Sequence, residues 1–154
     1  MREPGWVLRE TVLALQERLL AEFGGASGVR DPGLLDSALA RPQQLFAYGR
    51  PSHFELAAAY AFGLVRNHPF VDGNKRIGFT AAVLFLELNG HRFSASEAEA
   101  TIKTFALAAR DLDESGYAAW LKANCRKRRS AKSRVGLRLR RDTPGASGRR
   151  SPAS

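Results

Sequence analysis

A stretch of nine residues, His68 to Arg76, concentrates the residue types that handle phosphate groups. It reads His-Pro-Phe-Val-Asp-Gly-Asn-Lys-Arg and so combines an imidazole, a carboxylate and two cations. The usual pKa of an imidazole is close to neutrality, which makes His68 the natural general base for a hydroxyl. Asp72 is suited to hold Mg²⁺ that bridges phosphate oxygens. The stretch therefore predicts transfer of a phosphate-containing group to a hydroxyl.

The same stretch is predicted to contain the start of a helix, where anions bind. The residue before a proline avoids helical conformation, so one helix ends at His68, and Gly73 permits a tight turn before the next helix begins at Asn74. The first N–H groups of that helix are unpaired and carry a partial positive charge. Lys75 and Arg76 add full charges that oppose the helix dipole, and a bound phosphate would resolve this conflict.

The elements that must position this stretch are predicted to be helices. Apolar residues recur at helical spacing through residues 1–125, and strand-like alternation is nearly absent. The pattern predicts an all-α fold, a compact bundle of about six helices. Counting their caps, the predicted helices cover about 6–23, 32–40, 54–66, 74–88, 96–109 and 113–124, with a short extended link at 91–93. The second is expected to end ahead of Pro42, because proline interrupts helices.

The third and fourth predicted helices are expected to form the core. Both are apolar over most of their surface, which is typical of helices buried in a small domain. The third also carries many small residues, which would let neighbouring helices approach closely; these are Ala57, Ala58, Ala59, Ala61 and Gly63. The polar stretch from His68 to Arg76 is thus predicted to be a short loop and helix start held between two buried helices.

The net charge of +9 is concentrated at one end of the chain. Residues 126–154 carry 11 Lys or Arg and one Asp, whereas residues 1–125 carry 13 bases and 14 acids. The segment 126–154 has few apolar residues and no aromatics, so we predict one helical domain at 1–125 and a disordered basic tail at 126–154. Two roles for the tail are open: non-specific binding to nucleic acid or ribosomes, or none. We favour none by a small margin.

The remaining composition favours a cytoplasmic protein. A single cysteine, Cys125, allows neither an intrachain disulfide nor a cysteine metal cluster. The first residues lack the apolar core of a signal peptide. The longest apolar stretches, 56–65 and 79–88, are too short to cross a bilayer, so no membrane association is expected.

The nine-residue stretch resembles the signature of the Fic/Doc family, H-x-F-x-[D/E]-[G/A]-N-[G/K]-R, and agrees with it at every fixed position. Segments 28–31, 38–43 and 88–90 extend the likeness, which covers roughly residues 12–121. The resemblance implies a helical bundle in which His68 is the base and Asp72 the Mg²⁺ ligand. It also implies that Phe70 anchors the loop in the core and that five residues contact the nucleotide phosphates: Gly73, Asn74, Lys75, Arg76 and Arg66.

Two positions distinguish the branches of this family. The nucleotidyl-transferring branch has glycine where this chain has Lys75, and a second arginine where it has Phe79. Both differences resemble the Doc branch, the toxins of type II toxin–antitoxin pairs, which transfer the γ-phosphate of a nucleoside triphosphate such as ATP. The resemblance implies a kinase-type enzyme that arrests translation, with elongation factor Tu as the family's known target. The alternatives are AMP transfer to a protein hydroxyl and a non-catalytic nucleic-acid or partner-binding module that uses the tail.

Regulation is expected to come from another chain. The inhibitory motif of many Fic proteins, Ser/Thr-x-x-x-Glu-Gly/Asn, is missing, because no glutamate is followed by Gly or Asn. The resemblance therefore implies a Phd-like antitoxin whose disordered segment docks near the loop. Gln16 stands where family members often have a histidine, so any role of that histidine is absent here or passes to the amide.

Overall fold

A computed structural model of the chain describes residues 2–128. Within these residues the chain forms six helices and one small antiparallel sheet, which confirms the predicted all-α bundle. The helices are α1 (Arg9–Phe23), α2 (Pro32–Tyr48), α3 (His53–Asn67), α4 (Asn74–Leu88), α5 (Glu97–Ala108) and α6 (Glu114–Ala123), and the strands are β1 (His91–Phe93) and β2 (Cys125–Lys127). None of the helices between residues 2 and 128 is long and apolar enough to cross a membrane.

Helix α3 is the centre of the bundle and packs on α2, α4 and α6. The small residues of α3 let the neighbouring helices approach closely, as the sequence predicted. A Cβ added at Gly63 would lie 3.0 Å from the Cα of Ala38 on α2, and one added at Gly78 of α4 would lie 3.2 Å from the carbonyl oxygen of Ala61. Helices α2 and α4 therefore rest almost directly on the backbone of α3, which fixes the end of α3 relative to the start of α4.

The prediction that the second helix ends ahead of Pro42 is wrong. Helix α2 continues through this buried proline to Tyr48. Proline removes one backbone donor, but the last turns of α2 gain tertiary contacts that offset this loss. Phe46 packs edge to face against Trp6, with ring centroids 5.8 Å apart, and Arg41 forms an ion pair with Glu114 of α6.

Two helix starts also differ from the sequence prediction. The first helix begins at Arg9 rather than near residue 6, because the preceding segment is extended and is held by the N–H of Val7, which donates to Tyr60 Oη at 3.0 Å. Helix α3 begins at His53, one residue early, because Ser52 and Glu55 form a reciprocal capping box. The core is thus partly closed by a non-helical N-terminal segment.

The extended link at 91–93 is a strand, β1, that pairs with β2 in the register His91 to Lys127 and Phe93 to Cys125. The N–H of Arg128 continues this pairing by donating to Gly90 O at 2.9 Å. The predicted domain boundary at 125/126 therefore falls inside β2, and for residues 126–128 the prediction of a disordered tail is wrong. The rest of that predicted tail, 129–154, lies outside the described residues.

Candidate functional site

The nine-residue stretch lies where α3 ends and α4 begins, beside a cavity of about 560 Å³. Six of the residues predicted from the sequence line this cavity together: His68, Asp72, Gly73, Asn74, Lys75 and Arg76. Helices α1 and α5 form the remaining walls, chiefly through Phe23, Glu97, Thr101 and Phe105. Phe70 points away from the cavity into the core and is 2% exposed.

The loop after α3 is held in place by the segment just before α2. Val71 N donates to Gly28 O at 3.0 Å, and the N–H groups of Arg30 and Asp31 both donate to Pro69 O, at 2.7 and 3.0 Å. These bonds create a short antiparallel bridge between the two segments, at Val29 and Phe70. Loop backbone that is paired in this way has few alternative conformations, so the cavity wall is fixed before any ligand binds.

Asn74 ties the loop to the first turn of α4. Its side chain is 4% exposed, with Oδ1 accepting from Phe70 N at 2.9 Å and Nδ2 donating to Phe70 O at 3.0 Å. This pairing turns the NH₂ group of Asn74 toward His68, with Nδ2 lying 3.3 Å from Nδ1 of the imidazole. A neutral His68 in this contact accepts at Nδ1 and carries its proton on Nε2. For Nε2 to act as the base, the contact must break and the proton must move to Nδ1.

Asp72 is anchored at three points. Its carbonyl oxygen accepts from Gln16 Nε2 at 2.7 Å, Oδ1 accepts from Gly73 N at 2.9 Å, and Oδ2 accepts from Ala26 N at 3.3 Å. The approach is close at Gly25, where an added Cβ would lie 3.0 Å from Oδ2. Because each carboxylate oxygen accepts one bond and has a second lone pair, the carboxylate remains able to bind a cation.

The donor set of the cavity fits Mg²⁺ held jointly with phosphate groups. Residues 2–128 contain no group of three or more His, Cys, Asp or Glu side chains that could cage a metal. Mg²⁺ is commonly bound through one or two carboxylates, with phosphate oxygens and water completing its shell. Asp72 is exposed at the cavity and supplies one carboxylate, and Glu97 on the opposite wall is a second.

The first turn of α4 forms an electropositive end to the cavity. Gly73 is the N-cap, in left-handed conformation with φ of 77°, and the turn contains no acidic residue. Ile77 N makes the bond to Gly73 O at 3.0 Å, so the N–H groups of the three preceding residues have no carbonyl within the helix. They face the same end as the two cations of this turn, which is the arrangement that binds phosphate at helix starts.

Both cations of the turn rest on aromatic rings of the cavity walls. Lys75 Nζ lies 5.0 Å from the ring centroid of Phe105, and Arg76 Cζ lies 4.2 Å from that of Phe23. The interaction free energy of such cation–π contacts is modest at exposed sites. They hold the two charges at the sides of the cavity.

Arg66 is not brought to this cavity. Its guanidinium lies over Phe62, with Cζ 5.1 Å from the ring centroid, on the outer side of α3. A cation near the last turn of a helix also stabilises the helix dipole. The placement gives Arg66 a structural partner and leaves the predicted phosphate contact without support from the geometry.

Sequence reasoning missed the walls formed by α1 and α5. Phe23 and Phe105 are 49% and 54% exposed, and a large exposed aromatic on an amphipathic helix was the available signal. No sequence signal marked Thr101 or Glu97, because an acidic residue such as Glu97 is common in the first turn of a helix. Their contribution depends on how α5 packs against α4, which the local sequence does not specify.

Residues 6–86 match the model of the Fic/DOC family. The chain belongs to this family. It is 50% identical over 76 residues to "Toxin Doc" of Mycolicibacterium smegmatis, a match that covers 47% of this chain and 58% of that protein. It is 37% identical over 82 residues to "Protein kinase doc" of Escherichia phage P1, covering 53% of this chain and 65% of that protein. The match thus spans less than two thirds of either relative, and both names confirm the predicted likeness to the Doc branch.

Proposed function

We propose that this protein transfers the γ-phosphate of a nucleoside triphosphate, such as ATP, to a hydroxyl of a protein target. The observation that carries this proposal is the α4 helix start, whose free N–H groups, Lys75 and Arg76 face a cavity also lined by His68 and Asp72. Helix N-termini of this kind bind phosphate, and an imidazole beside them can accept a hydroxyl proton. One relative is named a toxin and the other a protein kinase, and a kinase-type toxin agrees with both names.

Each residue of the cavity has a role in this proposal. The N–H groups of Asn74, Lys75 and Arg76 bind the phosphates, and the two side-chain cations neutralise charge that develops during transfer. Asp72 would hold Mg²⁺, and the ion would supply further charge neutralisation when bound. Before the transfer, the imidazole of His68 leaves Asn74 and, through exchange with water, loses its Nε2 proton and gains one on Nδ1. Nε2 then removes the proton from the attacking hydroxyl, whose oxygen bonds to the γ-phosphorus as the bond to the departing nucleoside diphosphate breaks.

Lys75 and Phe79 support γ-phosphate transfer over nucleotidyl transfer. Where the nucleotidyl-transferring branch has a second arginine, Phe79 places its ring in an aromatic cluster, 5.6 Å from Phe93 and 6.3 Å from Trp120. Lys75 places a side-chain charge where that branch has only backbone. The cavity therefore lacks the anion-binding arginine that the nucleotidyl branch has at the position of Phe79, and it has an additional cation earlier on α4, at Lys75.

Incubation with elongation factor Tu and ATP labelled at either the γ or the α phosphate tests the chemistry. We expect elongation factor Tu to become labelled with γ-labelled ATP and to remain unlabelled with α-labelled ATP. Arg9→Gln is a matched control, because Arg9 is exposed and pairs with Asp36 on the surface, whereas His68→Ala should abolish labelling. Label arriving from the α position would establish nucleotidyl transfer instead.

A Phd-like antitoxin is the proposed inhibitor. Exposed apolar side chains surround the cavity mouth, with Phe23, Val71 and Phe105 each about half exposed, and such a rim suits an amphipathic segment of a partner. Co-expression of an antitoxin-like protein encoded next to this one should relieve growth arrest.

The alternative of a nucleic-acid-binding module predicts that deletion of residues 129–154 abolishes activity and that His68→Ala does not. We expect the reverse for both variants.

A further inference from the structure

Arg30 lies outside the nine-residue stretch, yet its side chain binds the backbone that carries His68. Arg30 Nε donates to His68 O at 2.7 Å, and Nη2 donates to Asn67 O at 2.9 Å. The last carbonyls of a helix have no partner within it, and these two lie at the end of α3. The planar guanidinium presents parallel N–H groups, so one side chain satisfies both carbonyls.

His68 needs such support because its backbone is in an unfavourable conformation. It adopts φ of 51° and ψ of 54°, the left-handed region that residues with a Cβ seldom occupy. Residues persist there when their surroundings hold them. The backbone sets the direction of the Cα–Cβ bond of His68, so the donor that fixes the backbone also fixes the point from which the imidazole extends.

The other contacts between the two segments act further along the loop. The backbone bonds from Arg30, Asp31 and Val71 hold Pro69 and Val71, which follow His68. On the side of α3, Asn67 Nδ2 donates to Leu34 O at 3.0 Å and holds the Asn67 side chain. Among residues 2–128, the donor that binds both carbonyls flanking the Cα of His68 is the guanidinium of Arg30.

We propose that Arg30 is a positioning residue that holds the backbone of His68 in place, so that its imidazole can reach the attacking hydroxyl. This inference rests on the proposed transferase function for its effect on rate. Arg30 is not among the residues that line the cavity, and the phosphates are assigned to the first turn of α4. Loss of Arg30 should therefore slow the chemical step and leave nucleotide affinity almost unchanged.

The kinetic test compares Arg30→Gln and Arg30→Lys with the wild-type protein, using γ-labelled ATP and elongation factor Tu. We expect kcat to fall about 10- to 100-fold in Arg30→Gln, the range that small misplacements of a catalytic group produce, with KM for ATP changed less than about twofold. Arg30→Lys retains a cationic donor and should recover part of the loss. Arg9→Gln removes another exposed arginine with one side-chain bond, to Asp36 at 2.8 Å, and should behave as wild type.

Amide hydrogen exchange of the same variants gives a measurement that does not depend on activity. We expect the amides of Asn67, His68, Phe70 and Val71 to exchange roughly tenfold faster in Arg30→Gln, with the buried centre of α3 unchanged. This result in a protein without transferase activity would sustain the positioning role and remove only the proposed function. Unchanged exchange at 67–71, a rise in KM alone, or an equal loss of protection along all of α3 would each overturn the inference.

Discussion

Replacing Gly78 with alanine tests whether close packing of α4 on α3 sets the geometry of the site. Gly78 lies three residues after Lys75, on the face of α4 that contacts α3. An added Cβ would lie 2.8 Å from Val65 Cγ2 and 3.2 Å from the carbonyl oxygen of Ala61. Val65 is 1% exposed, and its branched side chain has little rotational freedom in a helix. The helices must therefore separate to admit the methyl group.

The size of the effect follows from these distances. Carbon atoms in contact prefer about 3.5 to 4.0 Å, so the helices must part by roughly 0.7 to 1.2 Å at this point. Overpacking of this kind costs about 1 to 3 kcal/mol, and the higher helix propensity of alanine offsets about 1 kcal/mol. We expect a net loss of up to about 2 kcal/mol in the free energy of unfolding, and a Tm lower by up to about 8 °C.

The same displacement should reach the reaction, because α3 ends at His68 and α4 begins with the phosphate-binding turn. A shift approaching 1 Å between base and phosphate lowers the transfer rate by up to about 100-fold. Urea and thermal unfolding, with initial rates of label transfer, measure both effects. Gly33→Ala is the matched control, because the nearest atom to its added Cβ is Asp31 Oδ1 at 3.4 Å, and it should be neutral or slightly stabilising.

A double-mutant cycle with Val65→Ala identifies the cause. Removing Val65 Cγ2 should relieve the clash, so the double variant should lose less stability than the two single losses added together. Strict additivity would show that the steric contact is not responsible. A Gly78→Ala protein as stable and as active as wild type would refute the reasoning about α3 and α4 altogether.

Three further predictions concern charge, chemistry and local structure. His53 Nδ1 lies 2.8 Å from His91 Nε2, and burial lowers the pKa of both imidazoles from 6.5. Because the unfolded chain binds protons more readily than the folded protein, the stability should be complete above about pH 6.5 and should fall below it. Thermal unfolding across pH should show a shallower fall in His53→Gln. Lys75→Gly should lower γ-label transfer at least about tenfold, and activity equal to wild type would remove Lys75 from phosphate binding. Asp113→Ala should cost about 1 kcal/mol in urea unfolding, because Asp113 Oδ1 accepts from Gly116 N at 2.7 Å.

The helices were predictable wherever local signals and tertiary packing agree. The central helices α3 and α4 have a strong apolar pattern and clear end signals, and both predicted spans are nearly correct. At Pro42 the local rule and the packing disagree, and the contacts of Phe46 and Arg41 prevail. Pairing of β1 with β2 was missed for a related reason: each strand is three residues long and too short for alternation to be visible, and their pairing depends on how the bundle brings residues 91 and 127 together.

Some residues of the candidate site could likewise be predicted from local sequence, and others depend on packing. Residues from His68 to Arg76 are contiguous, so one loop and one helix start bring them together, and their residue types indicate their chemistry. Arg66 is nearby in sequence, but its guanidinium lies over the ring of Phe62, one turn earlier on α3, and not at the cavity. Phe105 and Arg30 are distant in sequence and reach the site only through the packing of α5 and through the bridge before α2. Phe105 is a large aromatic on an amphipathic helix and Arg30 lies in the family-like segment 28–31, but neither feature indicates where the packing places the side chain.

Gln16 shows how a distant residue can shape the site without lining it. Gln16, which stands where family members often have a histidine, donates from Nε2 to Asp72 O and is 2% exposed. Its Oε1 is buried without a hydrogen-bond partner among residues 2–128, which is costly for a buried acceptor. Since a buried apolar residue would avoid that cost, the bond to Asp72 is the gain that offsets it. The backbone that carries the proposed Mg²⁺ ligand is therefore held from α1, just as the backbone of His68 is held from the segment before α2.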